Sequence, residues 1–311
     1  MKKVLIFGGS GQIGRHLIRK LTKENYLVTV VTRNYHKNGA ILKTQGNPGY
    51  IDVVEANIFD EEKLDILFKH KDICINLVGI LYEDKKNTFN NIHVSFPSLI
   101  SKKCKKFNLK KLIHISALGI EKPLDSKYAS SKKQGEKNII QNFSKSVILR
   151  PSVIYSVDDN FTTNLMTLLS LLPVFPLYYY GKTKFSPIHV SDFCEIITKI
   201  IDRDISDQII QCIGPEELSF KEILEKLLIS IDKKRLLIPM PIRIAKLLAF
   251  FLEKLPKPLM TRDQLKLLKY DNVVSSDYKS NNDLGLEVKL KFEDEISKYS
   301  YMWKKGGEYS K

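Results

Sequence analysis

The stretch KVLIFGGSGQIG, residues 3–14, decides the fold of this chain. Its apolar residues 4–7 have the length of a buried strand, and residues 16–21 have the pattern of a helix. Between them, Gly8, Gly11 and Gly14 recur at three-residue spacing. Glycines let backbone N–H groups approach a pyrophosphate, and the dipole of the following helix favours its negative charge. The stretch therefore predicts a dinucleotide site at the start of a β-α-β unit.

Strand and helix patterns alternate through the first half of the chain. The pattern predicts strands at 4–7, 27–32, 51–56, 73–78, 112–116 and 147–149, and helices at 16–21, 61–70, 89–107 and 128–141. Nearly continuous apolar strands are typical of a parallel sheet that helices cover on both faces. We therefore expect an α/β fold, a doubly wound parallel sheet (Rossmann fold), with a smaller, interleaved α+β region toward the C-terminus.

The alternation loosens after Pro151, although a helix at 190–201 and a strand at 208–213 restore it briefly. We expect residues 1–150 to form the nucleotide-binding domain, with 187–213 returning to it. Residues 151–186 and 214–311 then form a smaller region that faces a substrate or a partner. Ser219, followed three residues later by Glu222, predicts a capping box. Residues 242–255 predict an amphipathic helix that serves as a lid, a core element or a docking surface.

Composition limits the function classes. The 311 residues carry a formal net charge of +15, mostly from lysine. This charge indicates either a solvated surface or attraction to an anionic membrane or an acidic partner. The lysines are scattered, so we expect no nucleic-acid binding. Asp158 and Asp159 are predicted to be solvated loop charges, and no metal site is expected.

The chain also lacks the sequence pattern of a signal peptide or a membrane span. Its expected location is cytoplasmic, or peripheral on the inner face of the inner membrane. The four cysteines are far apart in the sequence and are expected to be buried, reduced thiols; they are Cys74, Cys104, Cys194 and Cys212.

Arg33 indicates the nucleotide preference. Sites for NAD usually carry an acidic residue about 20 positions after the glycines, where it binds the ribose hydroxyls. Here the second strand leads instead into Arg33. A guanidinium suits a 2′-phosphate, so NADP(H) is favoured over NAD(H), and Ser10 can add a hydroxyl to the same phosphate.

Tyr128 and Lys132 form the candidate catalytic pair. Four residues apart on a helix, their side chains lie on one face. A nearby ammonium favours the phenolate and is expected to lower the pKa of the tyrosine. Tyr128 is therefore a candidate general acid/base for hydride chemistry at a carbonyl. His93 and His114 are expected to have core or edge roles.

With these motifs the chain resembles the extended, atypical branch of the short-chain dehydrogenase/reductase superfamily. Within it, the chain is similar to the NAD(P)-binding accessory subunits of respiratory complex I and their bacterial relatives. The similarity rests on the segments NLVGILY at 76–82, SALG at 116–119, LRPSVIY at 149–155, PIHVSD at 187–192, LMTRDQ at 259–264 and DNVV at 271–274.

The resemblance implies roles for matching residues. Gly8, Gly11, Gln12, Ile13 and Gly14 would cradle the pyrophosphate. The remaining positions are Asn57 and Ile58 bordering the adenine, Val78 and Gly79 at the adenosine, Lys132 at the nicotinamide ribose, and Pro151 to Val153 lining the nicotinamide.

One position departs from the superfamily. A Ser or Thr hydroxyl usually follows the fifth strand, but Ala117 occupies that position and Ser116 precedes it. Loss of such a donor costs about 10²–10³ in rate. The resemblance therefore implies an accessory or assembly subunit with a largely structural nucleotide. The alternatives are an active NADP(H)-dependent reductase that uses Tyr128 and Lys132, linked to ubiquinone metabolism, and a nucleotide sensor that regulates a partner.

Overall fold

The computed structural model describes residues 1–206, 208–255 and 258–307. Its strands are β1 (Lys3–Phe7), β2 (Leu27–Thr32), β3 (Ile51–Glu55), β4 (Ile73–Asn76), β5 (Lys111–Ile115), β6 (Ser146–Pro151), β7 (Ile154–Tyr155), β8 (Val174–Leu177), β9 (Lys184–Phe185), β10 (Ile188–His189), β11 (Ile209–Cys212), β12 (Leu218–Ser219) and β13 (Leu236–Pro239). Its α-helices are α1 (Gln12–Lys23), α2 (Tyr35–Lys43), α3 (Glu61–Phe68), α4 (Phe96–Lys106), α5 (Lys127–Asn142), α6 (Thr162–Leu171), α7 (Val190–Asp202), α8 (Phe220–Ser230), α9 (Ile242–Leu252), α10 (Arg262–Leu267) and α11 (Phe292–Ser297). A π-helical turn, Asn90–Ser95, runs directly into α4.

Seven strands form one parallel sheet in the order β11-β6-β5-β4-β1-β2-β3. Strand β1 pairs with β2 on one side and with β4 on the other, so the direction of winding reverses between β1 and β4. Ligands of such sheets bind outside the carboxyl ends of the strands at this reversal. The sheet confirms the doubly wound parallel fold predicted from the sequence.

Hydrophobic clusters cover both faces of the sheet. On one face, α1 and α7 contribute buried residues such as Leu17 and Ile197. On the other, α3, α4 and α5 contribute Leu64, Ile100 and Ile139. Burial on both faces explains why the strands are nearly continuous apolar runs. Each fully buried aliphatic side chain stabilises the fold by about 1.5–3 kcal/mol.

The rest of the chain forms small sheets and short helices beyond the carboxyl ends of β6 and β11. Three two-stranded sheets pair β7 with β10, β9 with β12 and β8 with β13. A third hydrophobic cluster holds α6, α8 and α11 together through residues such as Leu169, Leu224 and Ile296. Strand β11 lies beside β6 in the large sheet, so the chain returns to that sheet after forming the first small strands.

Local differences from the predicted elements have simple causes. Helix α1 begins at Gln12, before the first strongly apolar residue, because Gly11 already serves as its N-cap. Helix α2 was not predicted; it is capped by Asn34, which accepts a hydrogen bond from the Lys37 amide, and buries little apolar surface. The capping box of Ser219 at the start of α8 is confirmed.

The four cysteines are buried and free, as expected. No helix within the described part of the chain is long and apolar enough to cross a membrane. Among the same described residues, no group of three or more His, Cys, Asp and Glu side chains is arranged to hold a metal ion.

Candidate functional site: a dinucleotide crevice beside Tyr128 and Lys132

The glycine turn joins the carboxyl end of β1 to α1. Gly8 has a φ of +82°, and a Cβ at this position would lie 2.9 Å from the carbonyl carbon of Leu77. The Gly11 amide donates to the Gly8 carbonyl at 3.1 Å and closes the turn. A Cβ on Gly14 would lie 2.5 Å from the Cα of Gly9, so α1 packs directly on the turn. Gly8 is therefore required for its conformation and Gly14 for space.

The first turn of α1 is suited to an anion. Its N-cap, Gly11, has no side chain to accept hydrogen bonds from the first-turn amides, and the turn contains no acidic residue. Those amides and the positive end of the helix dipole are thus available to a negatively charged ligand at the N-terminus of α1. The residues present therefore fit the pyrophosphate of a dinucleotide.

The loop after β7 packs against the same turns of α1. Gln12 Nε2 donates to Ser156 Oγ at 2.8 Å. Arg15 forms an ion pair with Asp158, and His16 Nε2 lies 3.4 Å from the same carboxylate. Hydrogen bonds from His16, Ser156 and Arg15 hold the pKa of Asp158 well below its usual range.

Asp159 is buried in this loop. Its carboxylate accepts hydrogen bonds from the Ser156 amide at 3.0 Å and from Thr162 Oγ1 at 2.6 Å. The prediction that Asp158 and Asp159 are solvated loop charges is therefore wrong. A pattern of two adjacent acids does not reveal partners such as Arg15, which lies 143 residues away in the chain.

Arg33 lies at the carboxyl end of β2 and is exposed. Its Nη1 donates to Asn87 Oδ1 at 3.1 Å, which joins it to the loop that follows β4. Asn87 in turn donates to Asp84 at 2.8 Å. Hydrogen bonds from Asn87, the Lys86 amide and, to a smaller extent, the charge of Arg33 lower the pKa of Asp84.

Asn57 and Ile58 follow β3 at the same edge of the sheet. Asn57 is exposed, and its Oδ1 accepts a hydrogen bond from the Phe59 amide at 3.1 Å. The Ile58 side chain is buried in the hydrophobic cluster around Phe7. Asn57 is therefore accessible to a ligand, whereas the side chain of Ile58 belongs to the core.

Val78 and Gly79 link the glycine turn to α5. The Val78 amide donates to Asn76 Oδ1 at 3.0 Å, and the backbone at Leu77 and Val78 lies against Gly8. A Cβ on Gly79 would lie 3.3 Å from Lys132 Nζ. The fold thus brings together the turn after β1, the loop after β4 and the lysine of α5.

Tyr128 and Lys132 lie on α5, where Lys132 is buried and Tyr128 is half-buried. Burial raises the pKa of Tyr128 to about 12 and lowers the pKa of Lys132 to about 8. Lys132 Nζ donates to the Ile115 carbonyl at 3.1 Å. This shift is opposite to the expected lowering of the tyrosine pKa, and its cause is burial, with no contribution from the Lys132 ammonium. At neutral pH the phenol is protonated.

His93 is a residue of this site whose role the sequence analysis missed. It is buried, as expected, but its ring packs edge-on against Tyr128 with centroids 5.4 Å apart. Its Nε2 accepts the Ile80 amide at 3.1 Å, so the proton is on Nδ1, which lies 2.9 Å from Ser131 Oγ. Burial lowers the pKa of His93 to about 3, which keeps the ring neutral.

The π-helical turn Asn90–Ser95 positions His93. A Cβ on Gly135 of α5 would lie 1.9 Å from the His93 carbonyl oxygen, so the two segments touch backbone to backbone. Single π-turns often occur at functional sites. Gly135 was the one residue in the sequence that indicated this close approach of the two segments. Helical periodicity does not reveal such an approach.

Ser116 and Ala117 follow β5, where the superfamily usually has a substrate-binding hydroxyl. Ser116 Oγ is buried and has no hydrogen-bond partner among the described atoms. Ala117 is partly exposed. Ala117, the residue that the resemblance aligns with that position, has no hydroxyl to offer.

Asp263 of α10 caps α5. Its carboxylate accepts hydrogen bonds from Ser126 Oγ at 2.8 Å and from the amides of Lys127 and Tyr128 at 3.0 Å each. A carboxylate at this end of a helix also interacts favourably with the helix dipole. The segment MTRDQ thus fixes the start of the helix that carries Tyr128.

Pro151 ends β6, and Val153 lies two residues beyond it. Ser152 Oγ donates to Asn272 Oδ1 at 2.7 Å, and Asn272 Nδ2 donates to the Leu118 carbonyl at 2.7 Å. Asn272 therefore ties the ends of β5 and β6 together, next to the residues that the resemblance assigns to the nicotinamide.

A buried ion pair holds α5 over β6. Arg150 Nε and Nη2 donate to the two carboxylate oxygens of Glu136 at 2.9 and 2.6 Å. The ring of Tyr278 lies 4.5 Å from the Arg150 guanidinium carbon. Both charges are bidentately paired, so each is compensated where water is excluded.

Two curated proteins are similar to this chain over most of its length. The chain is 25% identical over 284 residues to the mitochondrial NADH-ubiquinone oxidoreductase 40 kDa subunit of Neurospora crassa, an alignment that covers 91% of this chain and 74% of the relative. It is 24% identical over 305 residues to the mitochondrial NADH dehydrogenase [ubiquinone] 1 alpha subcomplex subunit 9 of Mus musculus, covering 96% and 81% of the two chains.

Among solved structures, DesIV, a dTDP-glucose 4,6-dehydratase from Streptomyces venezuelae with NAD and TYD bound, superposes with a TM-score of 0.73 at 18% identity. The superposition covers 97% of this chain and 96% of DesIV, and it shows a shared fold. The family described as the NAD dependent epimerase/dehydratase family matches residues 4–212, two thirds of the chain and all seven strands of the sheet. The chain therefore belongs to the NAD dependent epimerase/dehydratase family.

Proposed function

We propose that this chain is an accessory or assembly subunit of respiratory complex I and that it holds NADP(H) as a largely structural ligand. The observation that carries the proposal is the similarity to complex I subunits over 91% and 96% of the chain. The glycine turn, whose first-turn amides fit a pyrophosphate, supports the nucleotide part.

Residue roles in this proposal follow the resemblance to the superfamily, and the glycine turn and the neighbouring ends of the strands support them. The pyrophosphate lies over the glycine turn, the adenosine beside Arg33 and Asn57, and the nicotinamide between α5 and the end of β6. The proposed contacts are Gly8, Ser10, Gly11, Gln12, Ile13 and Gly14 with the phosphates, Asn57, Val78, Gly79 and the main chain of Ile58 with the adenosine, and Lys132, Pro151 and Val153 with the nicotinamide riboside.

A structural role for the nucleotide is supported by the lack of groups that would favour catalytic turnover. Ala117 offers no hydroxyl for a substrate carbonyl, and burial raises the pKa of Tyr128 to about 12. A tightly bound nucleotide stabilises the folded chain by RT ln(1 + [L]/Kd), which is about 4 kcal/mol at a thousandfold excess over Kd. We expect NADPH to stay bound for hours during gel filtration and subsequent competition with excess NADP⁺. Exchange within seconds would contradict the structural role.

The preference for NADP(H) is proposed from Arg33, which is exposed directly after β2, where sites for NAD usually carry an acidic residue. A hydrogen bond to a charged group contributes about 1.5–3 kcal/mol, so Arg33→Ala is expected to weaken NADPH binding by roughly 10- to 150-fold. NADH affinity is expected to stay unchanged. Arg19→Ala, an exposed arginine on α1, is the matched control. Equal affinity of the unmodified chain for NADH and NADPH would refute the preference.

The second candidate is an NADP(H)-dependent reductase linked to ubiquinone metabolism. The intact pair of Tyr128 and Lys132 favours it. Tyr128→Phe distinguishes the two functions, because the phenol of a reductase supplies the proton whereas a structural site needs the ring alone. A subunit is expected to retain NADPH and its association with complex I after this change. Loss of nearly all NADPH oxidation with quinone or carbonyl substrates would establish the reductase instead.

The proposed location is the periphery of the membrane that houses complex I. The chain would attach there through partner subunits and through contact with an anionic lipid surface. Attachment through partner subunits is tested by native pull-down of complex I subunits with the tagged chain. Failure to recover any of these subunits would contradict it.

A further inference from the structure

Helix α9 presents its large apolar residues to solvent. Its buried stripe consists of Ala245 and Ala249, which are each 1% exposed and pack on a small cluster around Leu265. The large residues on its outer side are Ile244, Leu247 and Phe251, which are 55%, 60% and 59% exposed. A helix that packs on a core normally turns its large apolar residues inward. Helix α9 does the reverse.

The segments that flank α9 in the chain also carry exposed apolar residues. Leu236 and Ile238 on β13, the strand that precedes the helix, are also exposed, as is Leu259 after it. A cluster of large exposed apolar residues such as the outer face of α9 marks a contact surface for a partner or a membrane.

Basic residues surround the outer face of α9. Arg243, Lys246 and Lys254 are exposed, and Lys254 Nζ lies 4.2 Å from the centre of the Phe250 ring. Glu253 is paired with Arg262 at 2.7 Å. Between residues 233 and 269 the sequence contains ten basic and two acidic residues. Large apolar side chains bordered by cations are complementary to acyl chains beneath anionic headgroups.

We propose that α9 docks on an anionic lipid surface, lying in the plane of the interface with Ile244, Leu247 and Phe251 inserted. Its 11 residues span only about 16 Å, roughly half of a ~30 Å hydrocarbon core, so the helix lies along the surface rather than across it. A lipid surface also accommodates side chains of unequal shape without a complementary groove. The proposal rests on the lipid contact of the proposed function and names the segment that makes it; vesicle binding tests it separately from nucleotide binding and from association with complex I.

Flotation of the full chain with lipid vesicles tests the proposal. We expect binding to phosphatidylcholine vesicles that contain phosphatidylglycerol, weaker binding to phosphatidylcholine alone, and loss of the difference at high salt. The double variant Leu247→Asp with Phe251→Asp is expected to lower binding at least about tenfold. Arg243→Glu with Lys246→Glu is expected to lower it at least about tenfold as well, because each basic residue near the surface contributes about fivefold.

Matched controls separate docking from general effects of charge and folding. Ile66→Asp with Ile229→Asp changes two isoleucines of similar exposure on α3 and α8, and Lys105→Glu with Lys137→Glu reverses two exposed lysines elsewhere. Thermal unfolding confirms that each variant folds. The proposal is overturned if the unmodified chain does not bind anionic vesicles, or if the α9 variants bind like their controls. Unchanged vesicle binding combined with loss of a copurifying protein would instead assign α9 to a protein contact.

Discussion

Removal of the Asp263 carboxylate is the perturbation that most directly tests how the C-terminal region supports the site. Asp263 lies on α10, yet it accepts the hydrogen bonds of Ser126 Oγ and of the Lys127 and Tyr128 amides at the start of α5. Asp263→Ala leaves these three donors without their acceptor. The expected result is a less stable chain with a frayed first turn at Tyr128.

The magnitude follows from the exposure of each donor. Water can replace the carboxylate at the exposed Lys127 amide, so that bond contributes little to the loss. The Tyr128 amide and the Ser126 hydroxyl are partly buried. Unsatisfied groups of this kind cost about 1–3 kcal/mol each, and we expect a total loss of about 2–3 kcal/mol after relaxation. Asp263→Asn keeps an acceptor oxygen but removes the charge at the helix N-terminus, so about 1 kcal/mol is expected.

Urea unfolding of the full chain measures both variants, and the NADPH dissociation rate reports on the position of Tyr128. Asp277→Ala, which removes an exposed carboxylate from the same C-terminal region, is the matched control and is expected to change stability by less than about 0.5 kcal/mol. A loss for Asp263→Ala no larger than that of the control would refute the reasoning. The same conclusion would follow if Asn and Ala had equal effects and NADPH dissociated at the unmodified rate.

Two further predictions concern the crevice itself. Gly8 has a φ of +82°, and the Cβ of an alanine there would lie 2.9 Å from the Leu77 carbonyl carbon. Gly285 also has a positive φ, +63°, but a Cβ there would have no neighbour within 4 Å. Gly285→Ala is therefore expected to cost about 1 kcal/mol, and Gly8→Ala clearly more, together with loss of NADPH binding in equilibrium dialysis. Equal costs would contradict the proposed close approach. Burial lowers the pKa of Lys132 to about 8, so between pH 8 and 10 the unfolded chain binds a proton at this lysine that the folded chain does not. The free energy of unfolding of the nucleotide-free chain should therefore rise between pH 8 and 10 by up to about 3 kcal/mol more than that of Lys132→Met. If the two free energies change in parallel with pH, the lysine is not desolvated.

Helix α5 shows where local sequence patterns stop being informative. The spacing of Tyr128 and Lys132 predicted that both lie on one face of a helix. It also led to the expectation of a lowered tyrosine pKa, whereas burial raises that pKa to about 12. The direction of the shift depends on how much protein surrounds the phenol, and that is decided by elements such as the π-helical turn at His93.

The sequence by itself determined the features that depend on neighbours in the chain. The conformation of Gly8, the strand at Leu27–Thr32 and the capping box at Ser219 each follow from local sterics, periodicity or a three-residue spacing. The same local signals established the doubly wound sheet, because parallel strands that are buried on both faces must be apolar throughout.

Only the tertiary structure decided which distant residues meet. Asp263 reaches the Tyr128 amide across 135 residues of sequence, and Arg15 reaches Asp158 across 143. The outward orientation of α9 was likewise open, because its apolar pattern is compatible with a lid, a core element or a docking surface. Such contacts have no local signature, since their free energy arises from desolvation and pairing that exist only after the chain has folded.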